Sequence, residues 1–267
     1  MTEATQKDAR KNEALWRKTL ITGHPSKVWG RKVMRLLPSA PRCKVCHNPF
    51  GGVGGRICGA IGMSPSRKNP RLCALCCEKM PPGGAEVEIA VLFADVRGST
   101  ALAERLGPAA FAAALNEFYA TVTNVLAGHD ATIDKLIGDE VMAFFVPGFC
   151  GPQFKRAAVE AGQSLLRALG YGGRGEVSLP VGVGIDAGTA FVGNMGAPDF
   201  VDFTALGDPV NTAARIQAAP GEGELLVSEA VFESVADRYA GTEVRTLEVK
   251  GKRDPVHIRS IPLSQAV

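Results

Sequence analysis

The sequence has no run of about 18 uninterrupted apolar residues, and charges stand near its N-terminus where an export signal would need an apolar core. These features argue against a helical membrane span and a secretory leader, so the expectation is a cytoplasmic chain. Aromatic residues are few, at 6%, and hardly interleave with the basic ones, which argues against a nucleic-acid groove built on stacking. Acidic residues are scarce at the front: residues 1–42 hold ten Lys or Arg against three acids, although the whole chain is only +3. Cysteine is almost absent outside one stretch, since six of the seven lie between Cys43 and Cys77. In a reducing compartment that clustering reads as metal binding, not as a disulfide framework.

What is present divides into three segments. In residues 1–40, basic residues alternate with Leu15, Trp16, Leu20, Val28, Trp29, Val33, Leu36 and Leu37, interrupted by Gly23 and Pro25, which predicts two short amphipathic helices. Such a basic, amphipathic stretch suits peripheral contact with an anionic membrane surface. The preferred reading is plainer: its apolar stripe packs on the rest of the protein or on a partner chain.

Residues 41–84 hold "CKVC", "FGGVGGRIC" and "NPRLCALCC". Asn69 and Pro70 predict a helix start, with Cys73, Cys76 and Cys77 on its opening turns. Cys43, Cys46, Cys73 and Cys76 then form two CxxC pairs on either side of a Gly-rich hairpin, a donor set able to converge on structural zinc. The arrangement resembles a treble-clef zinc finger, although the spacer is long; an iron–sulfur cluster drawing on four of the six thiols is the alternative. The "GGVGG" run reads as turn, because neither a preceding strand nor a following Lys-Ser/Thr supports a phosphate loop.

From about residue 85 to 267 strands and helices alternate. "VEIAVLFAD" predicts a strand, Ser99 to about Ala127 a helix, "ATIDKLIG" and "EVMAFFV" a hairpin, and "QFKRAAVEAGQSLLRALG" a second long helix. "LPVGVGIDAG" and "TAFVGNMG" read as further strands, and a third helix starts at Asp208, taken as its cap. The order predicts an α+β fold with helices on a largely antiparallel sheet.

Several residues in this segment carry chemistry. Asp95 ends an apolar strand, and Gly98, Ser99 and Thr100 open the next helix, whose free N–H groups and dipole attract an anion. Asp139, at the tip of the hairpin, can reach the same place if the two strands are neighbours. Two aspartates with little else suit hard, octahedral Mg2+, which keeps its waters and takes phosphate oxygens. Asn211 and Arg215, four apart, share a helix face and suit a phosphoryl group. Lys250 and Lys252 flank a glycine, where a lysine can meet phosphate. Glu140 reads as an ordinary turn residue.

Taken together, "VLFADVRGST", "KLIGDEVMAFF", "VGVGIDAGTAFVGNMG", "DFTALGDPVNTAARI" and "VKGK" are similar, in order and spacing, to the class III nucleotide cyclases over about residues 86–262. The resemblance implies a ferredoxin-like (βαββαβ) catalytic domain, active as a homodimer with sites at its interface. It implies that Asp95, Asp139 and the carbonyl of Val96 hold two Mg2+ or Mn2+ ions. Lys135 and Thr204 would read the base, Asn211 and Arg215 would orient the ribose and stabilise the transferring phosphoryl, and Lys250 would hold the terminal phosphates. Lys135 with Thr204 favours adenine, so the expected function is an adenylate cyclase acting on ATP and regulated by the Cys-rich segment. The alternatives are a guanylate or dual-specificity cyclase, or a catalytically weak nucleotide-binding signalling protein. A diguanylate cyclase fits less well, since its Gly-Gly-Asp/Glu-Glu-Phe hairpin is incomplete in "IGDEVM".

Overall fold

The structure, a computed structural model, describes residues 3–23, 30, 32–34, 36, 41–43, 45–66, 72–77, 83–173, 176–197, 200–248 and 254–263. Two compact units are distinguished. One comprises Met1–Val87, Pro147–Gly151 and Ala190–Leu206; the other comprises Glu88–Val146, Pro152–Thr189 and Gly207–Val267.

The larger unit is organised by β1 (Gly83–Val96), whose central residues 89–94 are all buried. A continuous apolar run of this kind marks a strand covered on both faces. It pairs antiparallel with β3 (Glu140–Phe145), which returns through a tight turn from β2 (Thr132–Ile137). The other strands are β4 (Val181–Ala197), β5 (Phe200–Leu206), β6 (Leu225–Ser228), β7 (Val244–Leu247) and β8 (Val256–Ser260). The sheet runs β2-β3-β1-β4-β6-β8-β7, and β5 pairs with the distal half of β4. Every pairing is antiparallel among β1–β3, β2–β3, β4–β5, β6–β8 and β7–β8, while β4–β6 is parallel. The first four positions, β2-β3-β1-β4, have the strand order of a βαββαβ ferredoxin-like core.

Helices pack on this sheet through apolar stripes. α5 (Pro108–Gly128) buries Phe118, Val122 and Leu126, and α7 (Phe154–Ala168) buries Phe154, Ala158, Leu165 and Leu166. α8 (Asp208–Gln217) places Ile216 in a cluster with Leu226 of β6 and Ile258 of β8. At about 1.5–3 kcal/mol for each large side chain removed from water, these contacts dominate the stability of the unit.

Three expectations change here. The helix predicted from Ser99 to Ala127 is two helices, α4 (Ser99–Leu106) and α5. Gly107 adopts φ 78° between them, and Pro108 opens the second. The two strands expected in "LPVGVGIDAG" and "TAFVGNMG" are one 17-residue strand, β4; glycine lowers strand propensity, but here it makes room for close neighbours. The cap of α8 is Gly207, and Asp208 is already its first helical residue.

In the smaller unit, α1 (Glu3–Ile21) is a single 19-residue helix that buries Trp16 and Leu20, so part of its apolar stripe is spent on the protein itself. Gly30, Lys32–Met34 and Leu36 are also helical, in line with a second helical stretch. α6 (Pro147–Cys150) packs on α1 at Gly148, where a Cβ would lie 2.3 Å from the Thr19 carbonyl oxygen. The expected Gly-rich turn is instead a helix, α2 (Gly52–Ala60). Each glycine costs a helix about 1 kcal/mol. Burial of Gly54 and Cys58, and the approach of Gly55 to the Phe50 carbonyl, override that preference. A short helix, α3 (Ala74–Cys77), follows Cys73 instead of containing it, and the expected cap at Asn69 and Pro70 lies outside the described residues. No helix among the described residues is long and apolar enough to cross a membrane.

Gly184 supplies a test of the packing in the larger unit, because a Cβ there would sit 2.3 Å from the backbone nitrogen of Gln217 in α8. Gly184→Ala should cost about 1–3 kcal/mol and lower the melting temperature by several degrees. Gly59→Ala, on an open helical position, should be neutral or slightly stabilising. Melting curves of the two variants that coincide would refute the contact.

Candidate functional site

The register of β1 against β3 builds the site. Asp95 lies directly across from Glu140, and the turn between β2 and β3 puts Asp139 beside them. The turn is tied down twice: the Val96 N–H donates to the Asp139 carbonyl at 3.2 Å, and the Tyr119 hydroxyl of α5 donates to the Gly138 carbonyl. Gly138 adopts φ 61°, which a side chain would disfavour.

Asp95 and Asp139 therefore meet as expected, and Glu140 stands near enough for its charge to be felt by the pair. Burial and then the neighbouring Asp139 push the Asp95 carboxyl above its ordinary range, with Arg97 partly opposing. Burial, Asp95 and Asp139 do the same to Glu140, again offset in part by Arg97. Glu140 is thus a half-buried member of the cluster and not merely a turn residue. Repulsion of this kind is relieved by a divalent cation, and the hard oxygen donors suit Mg2+ or Mn2+.

Arg97 is a site residue that sequence reasoning passed over. Its guanidinium lies 3.4 Å from the Asp95 carboxylate and donates to the Gln217 carbonyl at 2.6 Å, while its N–H donates to the Pro180 carbonyl at 2.6 Å. A Cβ on Gly182 would come within 2.8 Å of Arg97 Nε, so the glycine leaves that space to the arginine. The available signal was the alternation of glycine in "VGVG", which empties one face of β4 at 182 and 184.

Beyond Val96 the chain turns through Gly98, which has φ 63° and open space around its missing side chain, into Ser99 and Thr100 at the start of α4. The N–H groups of a helix's first turn have no partner within the helix, and here they lie close in sequence to Asp95. On α8, Asn211 and Arg215 are both exposed, while Thr212, Ala213, Ile216 and Gln217 form the buried face. The amide and guanidinium therefore share the outward face, as their spacing predicts.

Lys135 sits at a bulge in β2. The register moves from Ile133 opposite Ala143 to Lys135 opposite Met142, leaving Asp134 as the extra residue. That irregularity lets adjacent side chains meet: Lys135 Nζ is 3.1 Å from Asp134 Oδ2, whose side chain is wholly buried. Thr204 lies on β5 in the smaller unit, buried, and paired with Gly193 of β4. Lys250 and Lys252 lie outside the described residues.

In the smaller unit, the sulfurs of Cys43, Cys46, Cys73 and Cys76 all lie within 4.8 Å of one another. Cys46 and Cys73 sulfurs are 3.6 Å apart, and the Cys73 N–H donates to Cys43 Sγ at 3.3 Å. A loop holds the first pair: the Cys43 N–H donates to the Asn48 carbonyl, and the His47 N–H to the Cys43 carbonyl. Hydrogen bonds to Cys43, Cys46 and Cys73 hold the Cys76 thiol well above the usual range. The four groups compete for protons and cannot all ionise without a cation, the behaviour expected of a metal-ligand set. Cys58 is buried outside this quartet, 3.9 Å from the Met34 sulfur, and burial together with the nearby Cys73 pushes its thiol up.

Comparison with known proteins places this geometry in context. Residues 84–259 match the family model described as "Adenylate and Guanylate cyclase catalytic domain". An adenylate cyclase of Anabaena cylindrica is 29% identical over 195 residues, covering 69% of this chain and 39% of that protein. An uncharacterized protein of Mycobacterium bovis is 30% identical over 189 residues, covering 68% of this chain and 34% of that protein. The chain thus spans between a third and two-fifths of the length of these relatives. Among solved structures, the guanylyl cyclase Cya2 aligns at a TM-score of 0.61 with 30% identity, over 67% of this chain and 93% of that one. The adenylyl cyclase CyaB from P. aeruginosa aligns at 0.56 with 31% identity, over 66% and 95%. Carboxylates gathered by β1 and β3, on a sheet shared with these structures, are what a family match over two-thirds of the chain would lead one to find, and the chain belongs to the adenylate and guanylate cyclase catalytic domain family.

Proposed function

We propose that the chain is an adenylate cyclase that converts ATP into 3′,5′-cyclic AMP and pyrophosphate at sites shared by two copies of itself. The observation that carries this reading is the convergence of Asp95 and Asp139, with Glu140, beside a helix start open to an anion. When bound there, Mg2+ or Mn2+ would activate the ribose 3′-oxygen and neutralise the triphosphate. Asp95, Asp139 and the Val96 carbonyl would hold the ions, and the N–H groups from Ser99 and Thr100 would receive phosphate oxygens. Arg97 steadies Asp95 and offsets part of the cluster's charge while the site is assembled.

The remaining groups suit a site completed across an interface. Asn211 and Arg215 face outward, where they could orient the ribose and stabilise the charge on the phosphoryl being transferred. Lys250 would meet the terminal phosphates. Lys135 would donate to adenine N1, and the Thr204 hydroxyl would accept from the exocyclic amine. A hydroxyl can also donate, so discrimination against guanine rests chiefly on Lys135. The reaction is an in-line attack of the 3′-oxygen on the α-phosphorus with pyrophosphate leaving, and positioning and charge neutralisation supply the rate. A guanylate cyclase is the second reading, favoured by the similarity to Cya2.

For the cysteine quartet we propose structural zinc. A tetrahedral Zn–S bond of about 2.3 Å sets sulfurs about 3.8 Å apart. The observed spacing approaches this, whereas a multi-iron core would hold its thiolates further apart. Free thiols of this kind fit a reducing, cytoplasmic setting.

Purified protein with Mn2+ and ATP should form cyclic AMP, and Asp139→Ala should reduce turnover at least roughly a hundredfold. Turnover surviving in that variant would refute the reading, and a kcat/KM favouring GTP would assign the second one. Mixing Asp95→Ala with Arg215→Ala should restore up to about a quarter of wild-type activity, since random pairing makes half the dimers mixed, each with one intact site. Absence of rescue would argue against shared sites. Elemental analysis should find one zinc per chain, lost in Cys73→Ser; iron in its place would assign the cluster alternative.

A further inference from the structure

The hairpin formed by the distal half of β4 and by β5 belongs to the same compact unit as the Cys-rich segment, and that unit grips it from both faces. Asn194 and Phe203 are directly paired across the hairpin, as are Gly193 and Thr204. Directly opposed residues of an antiparallel pair point to the same side, and neighbours along a strand point to opposite sides. Phe203 and Thr204 therefore mark the two faces.

On the Phe203 face stands Trp16 of α1. The two rings stack with centroids 5.8 Å apart and planes 14° off parallel, and they are only 2% and 1% exposed. An aromatic pair buried so completely is worth more than its area alone. On the Thr204 face the entry to β1 passes over Gly193. A Cβ on Gly193 would lie 2.4 Å from the Gly83 carbonyl oxygen, and a Cβ on Gly84 would lie 2.3 Å from the Val192 carbonyl oxygen. Backbone meets backbone there, which only glycine permits. The third contact is α3, which carries Cys76 of the thiol quartet and packs against β5.

We infer that the N-terminal unit sets the purine site of the enzyme by clamping this hairpin, with Trp16 as a positioning residue for Thr204. The inference rests on the proposed role of Thr204 in reading the base. Trp16 touches no reacting group; it fixes Phe203, and a strand fixed at Phe203 presents the next residue at a fixed depth. Loosening the clamp should thus weaken nucleotide recognition before it touches the chemical step, because Asp95 ends β1 and Asp139 lies in the turn before β3, neither of them on the β4–β5 hairpin.

The test uses the full chain with Trp16→Ala and Trp16→Phe. It combines amide hydrogen exchange over residues 200–206 with steady-state kinetics on ATP and GTP. Trp16→Ala should speed exchange in that segment at least tenfold and raise KM for ATP at least fivefold with kcat within twofold of wild type; Trp16→Phe should recover most of both. Gly84→Ala, which presses on the opposite face, should move the same two readouts and serves where Trp16→Ala fails to fold. Unchanged exchange in a folded variant overturns the clamp. Faster exchange with KM and the ATP/GTP ratio both unchanged overturns the positioning of Thr204. A wild-type protein that makes no cyclic nucleotide defeats the proposed function instead, and the exchange measurement still decides the clamp.

Discussion

One antiparallel pairing, β1 beside β3 with Asp95 facing Glu140, is the constraint on which the candidate site depends. It gathers negative charge that would disperse in any other register, since a slip of one residue would turn Asp95 to the other face of the sheet. The apolar partners along the same two strands enforce it. Val91 faces Phe144 and Ala90 faces Phe145, with all four buried. Each large side chain contributes about 1.5–3 kcal/mol, whereas two carboxylates in contact near a protein surface repel by about 4 kcal/mol at most. Burial along the strands therefore outweighs the repulsion at their ends, and the fold holds open a place for positive charge.

Glycine has a second organising role along β4. Gly182 yields space to the Arg97 guanidinium, and Gly184 lets the backbone of α8 approach at Gln217, which in turn accepts from Arg97. The helix that carries Asn211 and Arg215 is thus docked by the same glycines that make room for the partner of Asp95. Farther along the strand, Gly193 serves the smaller unit in a different way, by accepting the entry to β1. A single strand rich in glycine supplies three close approaches that no branched or aromatic residue would allow.

Much of this was legible in the sequence, because strand ends and turns are written in residue type. The charged end of "VEIAVLFAD", the hairpin around Gly138 and Asp139, the pair of CxxC motifs and the Asn211/Arg215 spacing each led to the element or cluster found. What was hidden had tertiary causes. Helix α2 forms from "GGVGGRIC" because Gly54 and Cys58 are buried, which no local preference announces. Glu140 looked like a turn residue because the register opposite Asp95 is a long-range fact. The bulge at Asp134, which turns Lys135 toward a buried carboxylate, leaves no trace in composition. Gly107 and Pro108 did announce a helix break, and the apolar spacing on both sides masked it.

The glycine contact between residues 84 and 193 has a consequence for modularity. Catalytic domains of this family occur within longer proteins, so the seam at the start of β1 is where different N-terminal modules would be joined. Here that seam is not a free tether but a point where two backbones touch. A module grafted upstream of residue 85 would have to bring a glycine at position 84, because any side chain there would meet the Val192 carbonyl. The two positions therefore form one joint, whose close approach depends on both glycines at once.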